Sequence, residues 1–267
     1  MTLASWDDAV VTHFVSDWEA WHDVREQRLR DPRGWLGITA IHWLTDAPER
    51  FDDLPGDWLS IEGRVVVTLH RGEVLTLGSR VLAKGAHELG PLDEEGLTVG
   101  FGDAVAEVAL RGGAAIVRPR HPDSPNLRAY RGTPGYRPDA RWIIPARFTA
   151  YPALGGTPGG GPDDEAVGEV AFENDGSQHR LVAWGEDDGS LWIVFRDATS
   201  GVTTYPAGRQ LLTAPPTCDG TVHIDFNRAI NLPCAYTNFA TCPVPPDANT
   251  LPFAVEAGEQ LPAMVSA

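Results

Sequence analysis

Two short stretches concentrate the side chains that can hold or transform a ligand. The first, FRDATSGVTTYPAGR at residues 195–209, carries Arg196, Asp197, Thr199, Tyr205 and Arg209. A guanidinium is a planar, permanently charged fork that grips a carboxylate or phosphate through two parallel hydrogen bonds. Two of them flanking a hydroxyl-rich turn point to anion holding. A plain turn explains part of the stretch: Asp197 and Thr199 bond nearby backbone and Gly201 takes the positive φ. It does not explain Arg196, Tyr205 and Arg209 so close by.

The second stretch, DFNRAINLPCAYTNFATCPVPP at 225–246, follows a strand and opens with Asp225, Asn227 and Arg228. Too many prolines interrupt it for a helix, and its polar side chains suit an irregular path whose backbone groups need local partners. Together the two stretches predict a polar pocket beside strand ends, where pockets tend to lie. Its ligand is a small anionic molecule held by Arg196, Arg209 and Arg228, with Arg131 or Arg141 as further candidates. Asp197, Tyr205, Asn227 and Thr199 orient that ligand. If a reaction follows, it is hydrolysis or group transfer with Asp197 or Asp225 as general base. Two alternatives stay open: a non-catalytic β-rich interaction module, and a cysteine-dependent enzyme using Cys234 or Cys242.

Cys234 and Cys242 lie too far apart in sequence for a C-x₂₋₄-C zinc pair, and no histidine spacing supplies the other ligands. Neither a metal nor a cofactor is expected. A thiolate nucleophile needs a base or a positive neighbour, for which Arg228 and His223 are candidates. A buried, apolar cysteine is the competing expectation. No nucleophile elbow, zinc-protease helix motif or dinucleotide-binding glycine fingerprint is present in the sequence.

These residues need a frame. The chain has 267 residues, 28 glycines, 22 prolines and nine tryptophans, a balance that predicts many turns, a substantial core and few long helices. Thirty-seven acids against 21 bases give a formal charge of −16, which disfavours nucleic acid and anionic membranes as partners. Against that background, residues 111–147 hold eight arginines and only two acids, Asp123 and Asp139. Acids elsewhere in the chain or an anionic ligand must answer that contrast. The N-terminus shows no charged and apolar leader pattern, and no apolar run is long enough for a span, so a cytoplasmic protein is expected.

The predicted fold is mainly β: two packed antiparallel sheets or two small tandem β-domains, with an N-terminal amphipathic helix. The helix covers 6–30, with Val11, Phe14, Val15, Trp18, Trp21, Arg25 and Leu29 on one face and Ser5 with Asp8 at its start. WLGITAIHWL at 35–44 reads as a strand buried on both faces. Strands are also expected at 64–70, 73–77, 105–110, 114–120, 167–172, 177–184, 190–195, 221–226 and 251–257. ENDG and GEDDG read as hairpin turns. The expected organisation is a helix at 1–34, a first β-rich half at 35–151, a Gly/Pro-rich loop at 152–165 and a second β-rich half at 166–267.

The order FRDATSG, TY, GR, DFNRA, PCAYTNFATCPVPP, LP and EAGE resembles the bacterial and archaeal family catalogued as domain of unknown function 1684, most strongly over 191–260. WHDVREQRL and GWLGITAIHWL resemble that family's opening. Arg196, Asp197, Thr199, Ser200, Tyr205, Gly208, Arg209, Asn227, Arg228, Cys234, Thr241 and Cys242 carry the resemblance. Ile230 and Leu232 depart from it, where an aromatic residue and a proline are expected. The resemblance implies no reaction and no catalytic residue.

Overall fold

The computed structural model describes residues 8–93, 95–152 and 166–264. The Gly/Pro-rich stretch beyond residue 152 and the Ser5 start signal lie outside the described residues. The protein is mainly β, with several antiparallel sheets and an N-terminal helix. The chain divides into two compact units: unit 1 is Met1–Glu26, Arg131–Ala235 and Cys242–Ala263, and unit 2 is Gln27–Tyr130, Tyr236–Thr241 and Met264–Ala267.

Unit 2 holds strands β1 (His42–Trp43), β2 (Glu49–Arg50), β3 (Asp57–Ile61), β4 (Arg64–Leu69), β5 (Leu75–Leu77), β6 (Arg80–Leu82), β7 (Gly85–Leu89), β8 (Leu97–Phe101), β9 (Ala104–Arg111) and β10 (Ala114–Arg120). They form a six-stranded sheet, β1-β10-β9-β8-β5-β6, and a four-stranded one, β2-β3-β4-β7. Alternating residues such as Val65, Val67 and Leu69 join Trp58, Leu75, Val99, Val108 and Val117 in one apolar core. Burying each large apolar side chain contributes roughly 1.5–3 kcal/mol.

The arginine-rich stretch begins in this unit, and an acid just outside it answers the charge. Glu107 faces Arg118 across the β9–β10 pair. Its carboxylate accepts from Arg118 Nη2 at 2.7 Å, Arg111 Nη2 at 2.5 Å and Arg120 Nη2. Burial pushes the Glu107 carboxyl up, but the hydrogen bond and charge of Arg118, with Arg120 and Arg111, outweigh it and hold the group below its ordinary range.

One strand expectation fails in unit 2. Residues 35–44 are not a doubly buried strand: Trp35–Gly37 is a 3₁₀ turn, Ile38 makes an isolated bridge to Arg120, and the strand itself is His42–Trp43, paired with β10. The turn closes so tightly that a Cβ on Gly37 would sit 1.9 Å from the Pro32 carbonyl oxygen. Leu36 is buried in the turn itself and Ile38 just after it, at a single bridge and not in a continuous ladder.

Unit 1 is built on one seven-stranded sheet, β16-β11-β12-β13-β14-β15-β17. Its strands are β11 (Ile143–Ala150), β12 (Gly168–Asn174), β13 (Ser177–Gly185), β14 (Leu191–Phe195), β15 (Arg209–Leu212), β16 (Thr221–Asp225) and β17 (Ile230–Asn231). The β12–β13 hairpin turns at Asp175 and Gly176, with φ of 49° and 74°. Positive φ at both central residues matches the strands' right-handed twist and suits the Asp-Gly pair.

One face of this sheet presents Ile144, Val170, Phe172, Leu181, Ile193, Phe195, Leu211, Val222 and Ile224 to the core. Irregular chain covers them, through Trp142, Phe226, Ala229, Leu251, Val255 and Ala257. Residues 251–257 therefore pack as expected of a buried segment but form no strand. Their backbone groups are shared between main chain at 196–198, where Leu251 N donates to Arg196 O and Phe253 O accepts from Ala198 N, and the side chains described below.

Helix α1 (Asp8–Leu29) keeps Phe14, Val15, Trp18, Trp21, Arg25 and Leu29 of the expected face at least partly covered. Within unit 1, Trp18 Nε1 donates to the Asn227 carbonyl at 2.7 Å, and Arg25 Nε meets Glu259 Oε1 at 2.9 Å. Trp18 also stacks on His22, whose Nε2 lies 3.0 Å from the Thr133 carbonyl.

Candidate functional site

The predicted site residues all lie in unit 1, most of them in three groups. The first joins Asp197, Thr199 and Arg209. Arg209 opens β15 and its side chain is 0% exposed. Nη2 donates to Asp197 Oδ2 at 2.9 Å and to the Val255 carbonyl at 2.9 Å. Nη1 donates to the carbonyls of Ala257 and Glu259. Asp197 Oδ1 accepts from Thr199 N at 2.8 Å, Thr199 Oγ1 at 2.6 Å and Val255 N at 3.1 Å. Burial pulls the guanidinium's pKa down against the opposing charge of Asp197. This pair supplements the backbone hydrogen bonds of residues 251–259 by binding Val255 N and the carbonyls of Val255, Ala257 and Glu259. Its hydrogen-bonding capacity is spent almost wholly on the chain itself.

Arg196 sits apart from that pair. Its backbone bridges the Asn249–Leu251 segment, and Nη2 lies 3.9 Å from Asp247 Oδ1.

The second group is Asp225, Asn227 and Arg228, at the 3₁₀ turn that ends β16. Asp225 caps the turn by accepting from Asn227 N. The fully buried Asn227 amide reaches Asp139, accepting from its N at 2.9 Å and donating to its O at 3.0 Å. Asp139 caps the next 3₁₀ turn, Ala140–Trp142, and its carboxylate meets Arg141 Nε at 3.0 Å. Arg228 leans over the Trp21 ring, 5.6 Å from its centroid, with Nε 3.4 Å from Asp225 Oδ2. Asp225 and Asn227 thus form a frame that fixes the turn carrying Arg141.

That frame opens on a cleft of about 500 Å³ lined by Arg141, Trp142, Asn174, Asp175, Phe253, Ala254 and Glu256. Trp142 packs edge-on against Phe226, with ring centroids 6.0 Å apart. Phe253 is backed by His179, which packs on Phe172. The hairpin tip at Asn174 and Asp175 supplies an amide and a carboxylate. Arg141 stands over the Trp142 ring at 5.5 Å, with its side chain 66% exposed. The cleft therefore combines a cation, an aromatic floor and a polar rim, within the size range of small-molecule sites.

The third group is Tyr205, Cys234 and Cys242. The Tyr205 hydroxyl donates to the Cys234 carbonyl at 2.9 Å, and Cys242 Sγ accepts from Cys234 N at 3.0 Å. Both thiols are half-buried and Cys218 is exposed, so the expectation of buried, apolar cysteines is corrected. A hydrogen bond from Cys242 lowers the Cys234 thiol to about 7; burial opposes this and Tyr205 assists. Burial, with the Cys234 interaction, raises Tyr205 to about 12.

Comparison with known proteins sharpens where to look. Residues 128–260 match the model of a family described as "Protein of unknown function (DUF1684)". Over that segment the chain resembles this family. Every residue lining the cleft falls inside the matched segment, and so do all three groups of predicted residues. A solution NMR structure of an uncharacterized protein from Haloarcula marismortui is 29% identical, covering 49% of this chain and 76% of that one, with a TM-score of 0.40. No curated protein matches the chain.

Unit 2 has clefts too, of about 540 and 480 Å³. The smaller carries Arg50, which grips Asp57 and Glu73. Both lie outside the family segment. Sequence reasoning missed Asn249 and Glu259. Asn249 Nδ2 donates to Val182 O and Val194 O, stitching β13 to β14. Glu259 Oε2 accepts from Asn231 N at 2.7 Å. Single polar residues in apolar surroundings, AN-T-LP and AGE-Q-LP, are the only signal they leave. Among the described residues no group of three His, Cys, Asp or Glu is arranged to hold a metal, and no helix is long and apolar enough to cross a membrane.

Proposed function

We propose that unit 1 binds a small anionic molecule in the cleft at the end of its sheet, with Arg141 as the anion-holding group. The observation that carries this is the Arg141 guanidinium: Asp139 orients it, Asn227 fixes Asp139 through two hydrogen bonds, and the exposed head stands over Trp142 at the cleft. A guanidinium already oriented in this way loses little freedom on binding, so more of a charge-assisted hydrogen bond of about 1.5–3 kcal/mol is realised. Trp142 and Phe253 offer apolar faces. Asp175 and Glu256 on the rim repel a polyanion, so the favoured ligand carries one carboxylate-like group together with hydroxyls or an ammonium. Arg209, a buried cation of the same segment, serves the same reading indirectly, by holding the 251–259 chain whose Phe253, Ala254 and Glu256 complete the cleft.

The test is a thermal-shift screen of small carboxylates, hydroxy acids and amino acids, followed by titration of the best hit. A ligand bound only by the folded state raises the melting temperature. Arg141→Ala should weaken the hit at least tenfold with the unliganded melting temperature little changed. A hit that binds Arg141→Ala as tightly as the parent, or the absence of any hit across all three classes, counts against the cleft.

A further inference from the structure

Cys234 and Cys242 are separate from that cleft and use none of its residues. Cys234 N donates to Cys242 Sγ at 3.0 Å, and Cys234's own sulfur is three bonds from that nitrogen. The two sulfurs are thus neighbours although seven residues separate them. The Tyr205 hydroxyl fixes the Cys234 main chain at 2.9 Å. Solvent reaches both cysteines. The segment between them, Tyr236–Thr241, belongs to unit 2, where Tyr236 packs edge-on against Tyr130 and the Phe239 carbonyl accepts from Arg118 Nη1 at 3.2 Å. Each cysteine is therefore anchored by chain that is itself packed.

We propose that Cys234 and Cys242 form a peroxide-oxidisable dithiol site, with Cys234 as the attacking thiolate and Cys242 as the resolving thiol. The pairing follows from the geometry, and the lowered pKa of the Cys234 thiol supports the division of roles. The Cys234 amide holds the Cys242 sulfur beside Cys234, and interaction with the Cys242 thiol is the leading cause that favours the Cys234 thiolate. That thiol's lowered pKa, about 7, makes a large fraction anionic at neutral pH.

In the first step the Cys234 thiolate attacks one oxygen of a hydroperoxide and the O–O bond breaks. The sulfur is oxidised to sulfenic acid, and the leaving alkoxide or hydroxide takes a proton from water. The Cys242 thiol then attacks the sulfenic sulfur, the S–O bond breaks and water leaves with the thiol proton, giving the disulfide. Two equivalents of a small thiol reduce it back, becoming a disulfide themselves. The sum is one hydroperoxide and two thiols giving one alcohol or water, one water and one disulfide.

The experiment is a titration of the full chain with hydrogen peroxide, followed by alkylation and mass measurement of the C-terminal peptide that holds both cysteines. Near one equivalent, Cys234 and Cys242 should lose alkylation together and the peptide should lose two hydrogens, with both effects reversed by dithiothreitol. Exposed Cys218 is the internal control and should stay alkylatable. In Cys242→Ser a dimedone-type probe should trap sulfenic acid on Cys234. The proposal is overturned if Cys218 oxidises as fast as the pair, or if both thiols of the unmutated chain survive several equivalents. The unmutated chain decides this even if the serine variant folds poorly.

Discussion

Replacing Arg209 by methionine tests whether that guanidinium is a structural clamp. Methionine keeps most of the apolar stem and removes all the donors. The Asp197 carboxylate then loses its Arg209 charge partner in a site where both side chains are at most 1% exposed. The carbonyls of Val255, Ala257 and Glu259 lose donors at the same stroke. Breaking one side of a buried pair costs about 3–5 kcal/mol because the surviving charge is uncompensated. That is a large part of the roughly 5–15 kcal/mol typical of a folded domain.

Urea unfolding measures the loss. Hydrogen exchange over residues 251–259 localises it, and protection should fall there first. Arg209→Lys should recover part of the loss, since it restores charge but not the fork. Asp197→Leu combined with Arg209→Met should be less damaging than the two single losses added together. A loss below about 1 kcal/mol for Arg209→Met, with 251–259 still protected, would refute the clamp and return Arg209 to the ligand-binding set.

Three further outcomes follow from other contacts. Asn227→Ala leaves the Asp139 N–H and C=O without partners, so it should cost about 2–3 kcal/mol in urea unfolding and also weaken any Arg141-dependent ligand. In unit 2, Glu107 has a folded pKa below the ordinary 4.5, so its contribution is present above that value and is lost as pH falls through the lower folded one. Glu107→Gln should therefore destabilise unit 2 at neutral pH by about 3–5 kcal/mol and flatten the acid limb of its stability curve, read by denaturation at a series of pH values. The alkylation rate of Cys234 should rise with pH around a midpoint of about 7, against an ordinary 9.0, and Tyr205→Phe should move that midpoint upward.

The sheet was readable because its strands are local signals. Alternation at 168–174 and 191–195, and Asp175-Gly176 between two strands, each act over a few residues. The helix face with Trp18, Trp21 and Arg25 was readable for the same reason. What escaped depends on partners distant in sequence. Residues 251–257 have strand-like composition, but their backbone groups are divided between main chain at 196–198 and the side chains of Asp197 and Arg209. Residues 35–44 are apolar because a turn is buried there, and periodicity does not separate a buried turn from a buried strand. At the site, residue types pointed to anion holding, but not to how the structure allots those groups among partners of the chain itself. Arg209 and Asp197 satisfy each other, Asn227 reaches back to Asp139, and Arg141 is left facing the cleft. Charge and spacing are visible in a string of residues; which guanidinium is already occupied is a three-dimensional fact.

The most direct test of the cleft is to map where small carboxylates bind on the intact chain, by amide and tryptophan-indole chemical-shift changes during titration. The account predicts changes concentrated at Arg141, Trp142, Asn174, Asp175 and the 253–256 segment, abolished in Arg141→Ala. Changes centred on Arg209 or on the unit 2 clefts, or the same shifts surviving in Arg141→Ala, would contradict it.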